Sequence, residues 1–190
     1  MTSLDLEDSK FLILLTNLAI DVYYSDSCSR VVGVLFNSAT SQVPGKIVSC
    51  ESKIYSPYIP GEFWKRELPC ILDLYREHPE IKTARTIIVD GLAILPGGVP
   101  GLGKKLWEAL GSDKKTGVIG LAKSYFGGAE DVAVGIWRGK SGIPLWVNAC
   151  GALGNEVAAE FIKKMPGKYR LPDILRTLDK ETKSLIVDES

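Results

Sequence analysis

An α/β fold, with a mixed sheet that opens as an antiparallel three-stranded meander and carries flanking helices, is what this sequence predicts. Three observations carry that expectation. Strand-forming runs between Phe11 and Tyr55 are joined by short polar links, which suit antiparallel neighbours and are too short for a parallel crossover. The run Thr86-Ile87-Ile88-Val89 is apolar enough to be buried on both sides and delivers Asp90 and Gly91 at its end, as strands of open α/β sheets deliver ligand-binding groups. Apolar residues recur at helical spacing over 62–76 and 151–165.

Taken in order, residues 1–10 are polar and acidic and predict a frayed end. Phe11 to Tyr24 reads as a strand that changes character at Asp21, Arg30 to Phe36 as a second, and Lys46 to Tyr55 as a third. Pro57-Tyr58-Ile59-Pro60-Gly61 is a stiff loop opening a helix over Glu62 to Arg76. In that helix Phe63, Glu67 and Ile71 share a stripe beside Trp64, Leu68, Leu72 and Tyr75, so Glu67 points at the sheet or snorkels from its edge, and Pro69 predicts a kink.

After Asp90, residues 92–103 form a Gly- and Pro-rich loop of the kind that lets backbone approach a ligand, leading to a short helix over Gly101 to Gly111. Its glycines match neither a dinucleotide fingerprint nor a P-loop. Thr116 to Ala122 is a strand ending at Lys123-Ser124; Asp131 to Trp137 and Ile143 to Val147 read as a hairpin. Gly151 to Met165 predicts a helix with Ala152, Val157, Ala158, Phe161 and Ile162 inward; Pro166 to Arg176 beyond it belongs to the most basic part of the chain, and the remaining tail is mixed and polar.

Composition narrows the function classes. The 190 residues, 45% hydrophobic and 24% charged, predict one globular domain spanning 1–190. With 23 basic and 23 acidic residues there is no long-range pull on nucleic acid, leaving only a local basic lip for that role. Lys168, Arg170 and Arg176 are the candidates, as phosphate contacts or as a solvated surface. Four scattered cysteines and a single histidine argue against structural zinc and for reduced thiols. The early apolar run is interrupted at Thr16 and Asn17 and followed by Asp21, which predicts neither a signal peptide nor a membrane span and makes a soluble, cytoplasmic protein the expectation.

Asp21, Glu67 and Asp90 form the chemical candidate. A three-stranded ribbon beside a parallel strand would bring them to one edge, where three carboxylates repel unless a cation neutralises them. Hard cations such as Mg²⁺ suit oxygen donors, and Lys123 would face the same edge, pairing with phosphate or balancing the acids. Turn capping by Asp90 is the plainer alternative.

These residues carry a resemblance. Ile20-Asp21-Val22-Tyr23-Tyr24, Tyr58-Ile59-Pro60-Gly61, Arg66-Glu67-Leu68-Pro69, Val89-Asp90-Gly91, Ile119-Gly120-Leu121-Ala122-Lys123-Ser124 and Tyr169-Arg170-Leu171-Pro172-Asp173 with Arg176 resemble, in order and spacing, the endonuclease V family. The resemblance implies a ribonuclease H-like fold and a Mg²⁺- or Mn²⁺-dependent phosphodiesterase. Such an enzyme cuts single-stranded or locally distorted DNA or RNA near a deaminated purine, inosine. It assigns Asp21, Glu67 and Asp90 to the metal and Lys123 to the backbone beside the scissile phosphate. Tyr58 takes the place of the wedge residue in the loop with Pro60 and Gly61, and Gly91 belongs to the pocket for a flipped base. A structural tyrosine and a turn glycine are the plainer readings of these last two.

Two departures stand out. Leu92-Ala93-Ile94-Leu95 lacks the polar groups usual in the family's recognition loop, and Cys150-Gly151 stands where the resemblance expects Gly-His. The resulting expectation is an endonuclease V-like nuclease with weakened or altered specificity. A non-catalytic nucleic-acid-binding relative is the alternative, and a small hydrolase of phosphorylated metabolites comes last.

Overall fold

A computed structural model describes residues 16–25, 28–53, 56–57, 59, 61–125 and 127–184. The opening ribbon forms as the strand patterns predict. β1 (Asn17–Tyr24) pairs antiparallel with β2 (Ser29–Phe36), and β2 with β3 (Lys46–Ser52). The parts of the first and third strands expected at 11–15 and 54–55 lie outside the described residues.

From β1 the sheet continues in parallel through β4 (Thr86–Asp90), reached by helix α1 (Trp64–Glu77), and then β7 (Gly117–Ala122), reached by α2 (Leu102–Ala109). Between β4 and α2 the Gly- and Pro-rich loop pairs Ile94–Leu95 (β5) with Val99–Pro100 (β6) as a small antiparallel ribbon. A short helix, α3 (Ala129–Val132), precedes β8 (Val134–Ile136), which pairs antiparallel with β9 (Leu145–Gly151). The strand order is β3-β2-β1-β4-β7-β9-β8.

Alternation along the strands sorts the core into two layers. Leu18, Ile20, Ile87, Val89 and Val118 point to one face and pack with Ile71 and Leu74 of α1 and Leu102 and Leu106 of α2. Ala19, Ile88, Ile119, Leu121 and Val147 point to the other. There they meet α4 (Asn155–Lys164) and α5 (Asp173–Lys183) through Ala158, Ile162, Leu175 and Leu178. Each fully buried Leu or Ile contributes about 1.5–3 kcal/mol over exposure, so both layers hold the parallel strands flat against their helices.

Three local expectations need correction. Residues 129–132 are helical, because the chain turns after Gly128 (φ 81°) before entering the edge strand, so that strand begins at Val134 and not at Asp131. The helix expected from Gly151 begins at Asn155: Gly151 closes β9, Ala152 is exposed, and Val157 is 59% exposed while Ala158, Ala159 and Ile162 face inward. The polar-looking tail folds as α5, since Ile174, Leu175, Leu178 and Thr182 fall on one buried stripe. Among the described residues no helix is long and apolar enough to cross a membrane.

Candidate active site

Carboxylates gather where the parallel pairing of β1 with β4 ends. Ile20 pairs with Val89, so Asp21 and Asp90 are the next residues on adjacent parallel strands. Both side chains take the parity of Ala19 and Ile88, toward α5. Each carboxylate is held by main chain: Val22 N–H donates to Asp21 Oδ1 at 2.9 Å, and Gly91 N–H donates to Asp90 Oδ1 at 3.0 Å. Glu67 approaches from the opposite layer, because α1 packs against the other face of the sheet.

Lys123 follows β7 and places Nζ 3.1 Å from Asp90 Oδ2 and 3.9 Å from Asp179 Oδ1. Asp179 and Thr182 are three residues apart on α5, and Thr182 Oγ1 lies 3.4 Å from Asp21 Oδ2. The sequence reading missed both. The signal was present in the apolar spacing of Ile174, Leu175 and Leu178, which puts the next residue, Asp179, at the rim of the buried stripe.

The electrostatics are those of crowded acids with too little positive charge. Burial first, then the charges of Asp90 and Asp21, push the Glu67 carboxyl up to about 8 against the pull of Arg66 and Lys123. Burial raises Asp21 too, Asp90 and Asp179 adding to it while Lys123 and the Val22 N–H oppose. For Lys123, burial pulls downward, but Asp90, Asp21 and Asp179 outweigh it and hold the ammonium above its ordinary value.

Two depressions meet at Asp90 and Lys123. One runs over Asp21 to Leu171, Leu175 and Leu178; the other holds Glu67, Gly91, Phe63, Leu95, Ser124 and Tyr125. Gly61 reaches the second, whereas Tyr58 and Pro60 lie outside the described residues. Gly91 has φ 83°, and a Cβ there would stand 2.7 Å from Phe63 Cζ, so only glycine lets the turn close against that ring.

Oxygen donors of the type a hard cation prefers therefore share one edge. Among the described residues, however, no three acidic, histidine or cysteine side chains are drawn close enough to hold an ion. In chemistry the carboxylates suit a hard divalent cation, with Asp21 and Glu67 arriving from opposite layers of the sheet.

No protein-family model matches the chain. Endonuclease V of Thermus thermophilus is 27% identical over 140 residues, covering 63% of this chain and 59% of that protein. The chain thus spans under two thirds of the length of the curated relatives it matches. Endonuclease V of Ciona intestinalis, in complex with a 24mer DNA containing an inosine followed by a ribo-adenosine, matches the fold at TM-score 0.72. Its identity is 16%, over 94% of this chain and 95% of that one. Human endonuclease V matches at TM-score 0.68 and 15% identity over 94% of each chain. The chain is similar to the endonucleases V in sequence and shares their fold.

Seen beside the endonuclease V pattern, the two sequence departures separate. The apolar loop after Gly91 is partly core: Leu92 and Ala93 are buried, and Asn148 pins the loop by accepting from Ala93 N–H at 2.7 Å and donating to Ile94 O at 2.6 Å. Gly151, in contrast, where the resemblance expects a histidine, lies away from the carboxylates. It pairs with Gly117 at the start of β7, the opposite end of the sheet from Lys123, and takes φ 75° with a Cβ position 2.3 Å from Thr116 O. A histidine at 151 could not reach the carboxylates; the late position that does reach them is Asp179. The single histidine, His78, engages Ser49 O and Glu80 instead.

The basic cluster is also divided. Arg170 donates to Lys123 O and, at 2.8 Å, to Pro144 O, so its guanidinium binds its own chain. Lys168 and Arg176 flank the Tyr169 ring at 5.1 and 4.2 Å and line a groove with Lys140.

Proposed function

We propose that this protein is a metal-dependent endonuclease that hydrolyses a phosphodiester bond near inosine in a DNA or RNA strand. The observation carrying this reading is that Asp21 and Asp90 are the residues following Ile20 and Val89, the last β1–β4 pair, on adjacent parallel strands. Glu67 joins them from the other layer and Lys123 stands between Asp90 and Asp179. The fold likeness to endonuclease V, crystallised in one case on inosine-containing DNA, supports the substrate class.

Asp21, Glu67 and Asp90 would hold Mg²⁺ or Mn²⁺, which when bound supplies Lewis-acid stabilisation of the phosphate and a lowered pKa for attacking water. The chain's own residues do the positioning. Lys123 is a point charge at the mouth, held by Asp90 and Asp179 where a phosphate oxygen would arrive. Burial and the neighbouring aspartates favour a proton on Glu67 at neutral pH, and a bound cation would compete with that proton for the carboxylate. Leu95, Phe63 and Tyr125 border the depression beside Gly91, offering an apolar wall to an unstacked base.

The test is cleavage of end-labelled strands carrying one deoxyinosine or inosine, with Mg²⁺ or Mn²⁺ titrated in and Asp90→Ala as the inactive control. Cleavage absent from that control supports the reading; no cleavage above it on any strand removes it. A non-catalytic strand-binding relative is the second reading, favoured by the absence of a closed three-ligand cage among the described residues. It requires strand binding that Asp90→Ala leaves intact and no metal-dependent product.

A further inference from the structure

Beside the carboxylates the sheet presents aromatic rings that the core does not bury. Tyr125 is 60% and Trp137 61% exposed, although large aromatics left in water on adjoining positions are a poor use of apolar area. They are not isolated. Tyr125 meets Trp146 edge-on at 5.8 Å, and Trp146 lies opposite Gly135 in the β8–β9 pairing. The indoles of Trp146 and Trp137 both come within about 3.5 Å of the point where a Cβ on Gly135 would stand. Parity places Gly135 and Trp146 on the face turned away from α4 and α5, the buried Ile136 and Leu145 taking the other.

This row starts at the site and ends in positive charge. Tyr125 lines the same depression as Glu67, Asp90 and Lys123, with its hydroxyl fixed 3.0 Å from Glu130 Oε1. Past Trp137 the hairpin turn carries Lys140, in the groove whose charged lining residues are all basic and include Lys168 and Arg176. Aromatic steps leading into a basic groove are how proteins hold single-stranded nucleic acid without reading its sequence.

We propose that the Tyr125-Trp146-Trp137 row is a stacking track for the bases of a single nucleic-acid strand passing from the carboxylate edge toward Lys140. This rests on the nuclease reading and adds to it the path of the strand outside the cleavage site. The track fixes a minimum strand length for tight binding and requires those bases to be unpaired.

The experiment is a double-mutant cycle on affinity, read by anisotropy of labelled single strands in metal-free buffer at low salt. Short and long oligonucleotides are compared, as are long ones whose bases are replaced in blocks by abasic spacers. Wild type should bind long strands better than short ones and lose about 10-fold when the block over the track is abasic. Trp137→Ala should lose a similar factor on the intact strand and little on the abasic one, while Trp137→Phe restores most of the difference; circular dichroism checks the fold.

Independent, additive losses overturn the track while leaving the nuclease reading to its own cleavage assay. A Trp137-dependent dimer in sedimentation, without strand coupling, assigns the face to a second copy and also overturns it. No strand binding by wild type removes the track, and retained metal-dependent cleavage would show that the nuclease reading survives it.

Discussion

Lys123 directs its ammonium at Asp90, Nζ to Oδ2 3.1 Å, so the residue after β7 neutralises the residue that ends β4. The two strands are parallel neighbours, and the contact follows from their register: Asp90 pairs with Leu121, two residues before the lysine. Asp179 approaches the same nitrogen from α5. Lys123 is thus the cation around which the acids are arranged before any ion or phosphate arrives.

Removing either partner should therefore disable the site without unfolding it. Asp90→Asn and Lys123→Ala each reduce cleavage at least about 100-fold, while thermal stability changes little because both side chains are more than a third exposed. Lys123→Arg restores charge but not the compact ammonium geometry and recovers only part of the rate. Turnover of an inosine strand with a parallel melting curve is the measurement; a melting loss as large as that of a core substitution contradicts it.

Glu67 makes stability fall as pH rises. Its folded value, pushed up to about 8, exceeds the ordinary 4.5, so the folded state keeps a proton that the unfolded chain has already lost. Stability contributed by that proton is full below about 4.5 and drains away as pH climbs through about 8. Metal-free melting temperature should decline across that window, and Glu67→Gln should flatten the decline. On the proposed reading Mg²⁺ would bind the deprotonated form, so its affinity should rise over the same range, measurable by calorimetry. Identical pH profiles for wild type and Glu67→Gln would defeat the assignment.

Asp179, not residue 151, is the late group that matters. Asp179→Ala should lower cleavage by about 10-fold or more, since Lys123 loses one of the two acids that fix it. Gly151→His should restore nothing, and it should cost about 2 kcal/mol or more, because φ 75° and the nearby Thr116 O leave no room for a side chain. Rates and chemical denaturation of the two variants separate these outcomes; a faster Gly151→His enzyme would reverse them.

What sequence made legible here is what periodicity encodes. Alternation and apolar runs marked β1 to β4, β7 and α1, the elements that carry or lead to Asp21, Glu67, Asp90 and Lys123. Layer assignment was less visible: Glu67 comes from the opposite layer to the aspartates, a relation decided by which face α1 covers. Asp179 escaped because α5 has only four buried positions among many charges, so its composition resembled a solvated tail. The position where the resemblance expects a histidine, Gly151, is remote for the converse reason: β9 runs antiparallel to β7, so Gly151 pairs with Gly117 at the far end of the sheet from Lys123.

The last expectation concerns Arg170, which sequence alone would assign to phosphate. Its guanidinium bridges Lys123 O and Pro144 O, tying the chain before α5 to the residue that serves Asp90. Arg170→Ala should thus destabilise by about 2 kcal/mol, since charged hydrogen bonds to two carbonyls are lost at a half-buried position. Cleavage falls with it as Lys123 loosens. The salt dependence of strand affinity, however, should keep its slope, because no phosphate contact disappears. Lys168→Ala should do the reverse, leaving stability unchanged and reducing that slope by about one. If Arg170→Ala flattens the slope while melting stays at the wild-type temperature, the arginine is a phosphate ligand and the strap is incidental.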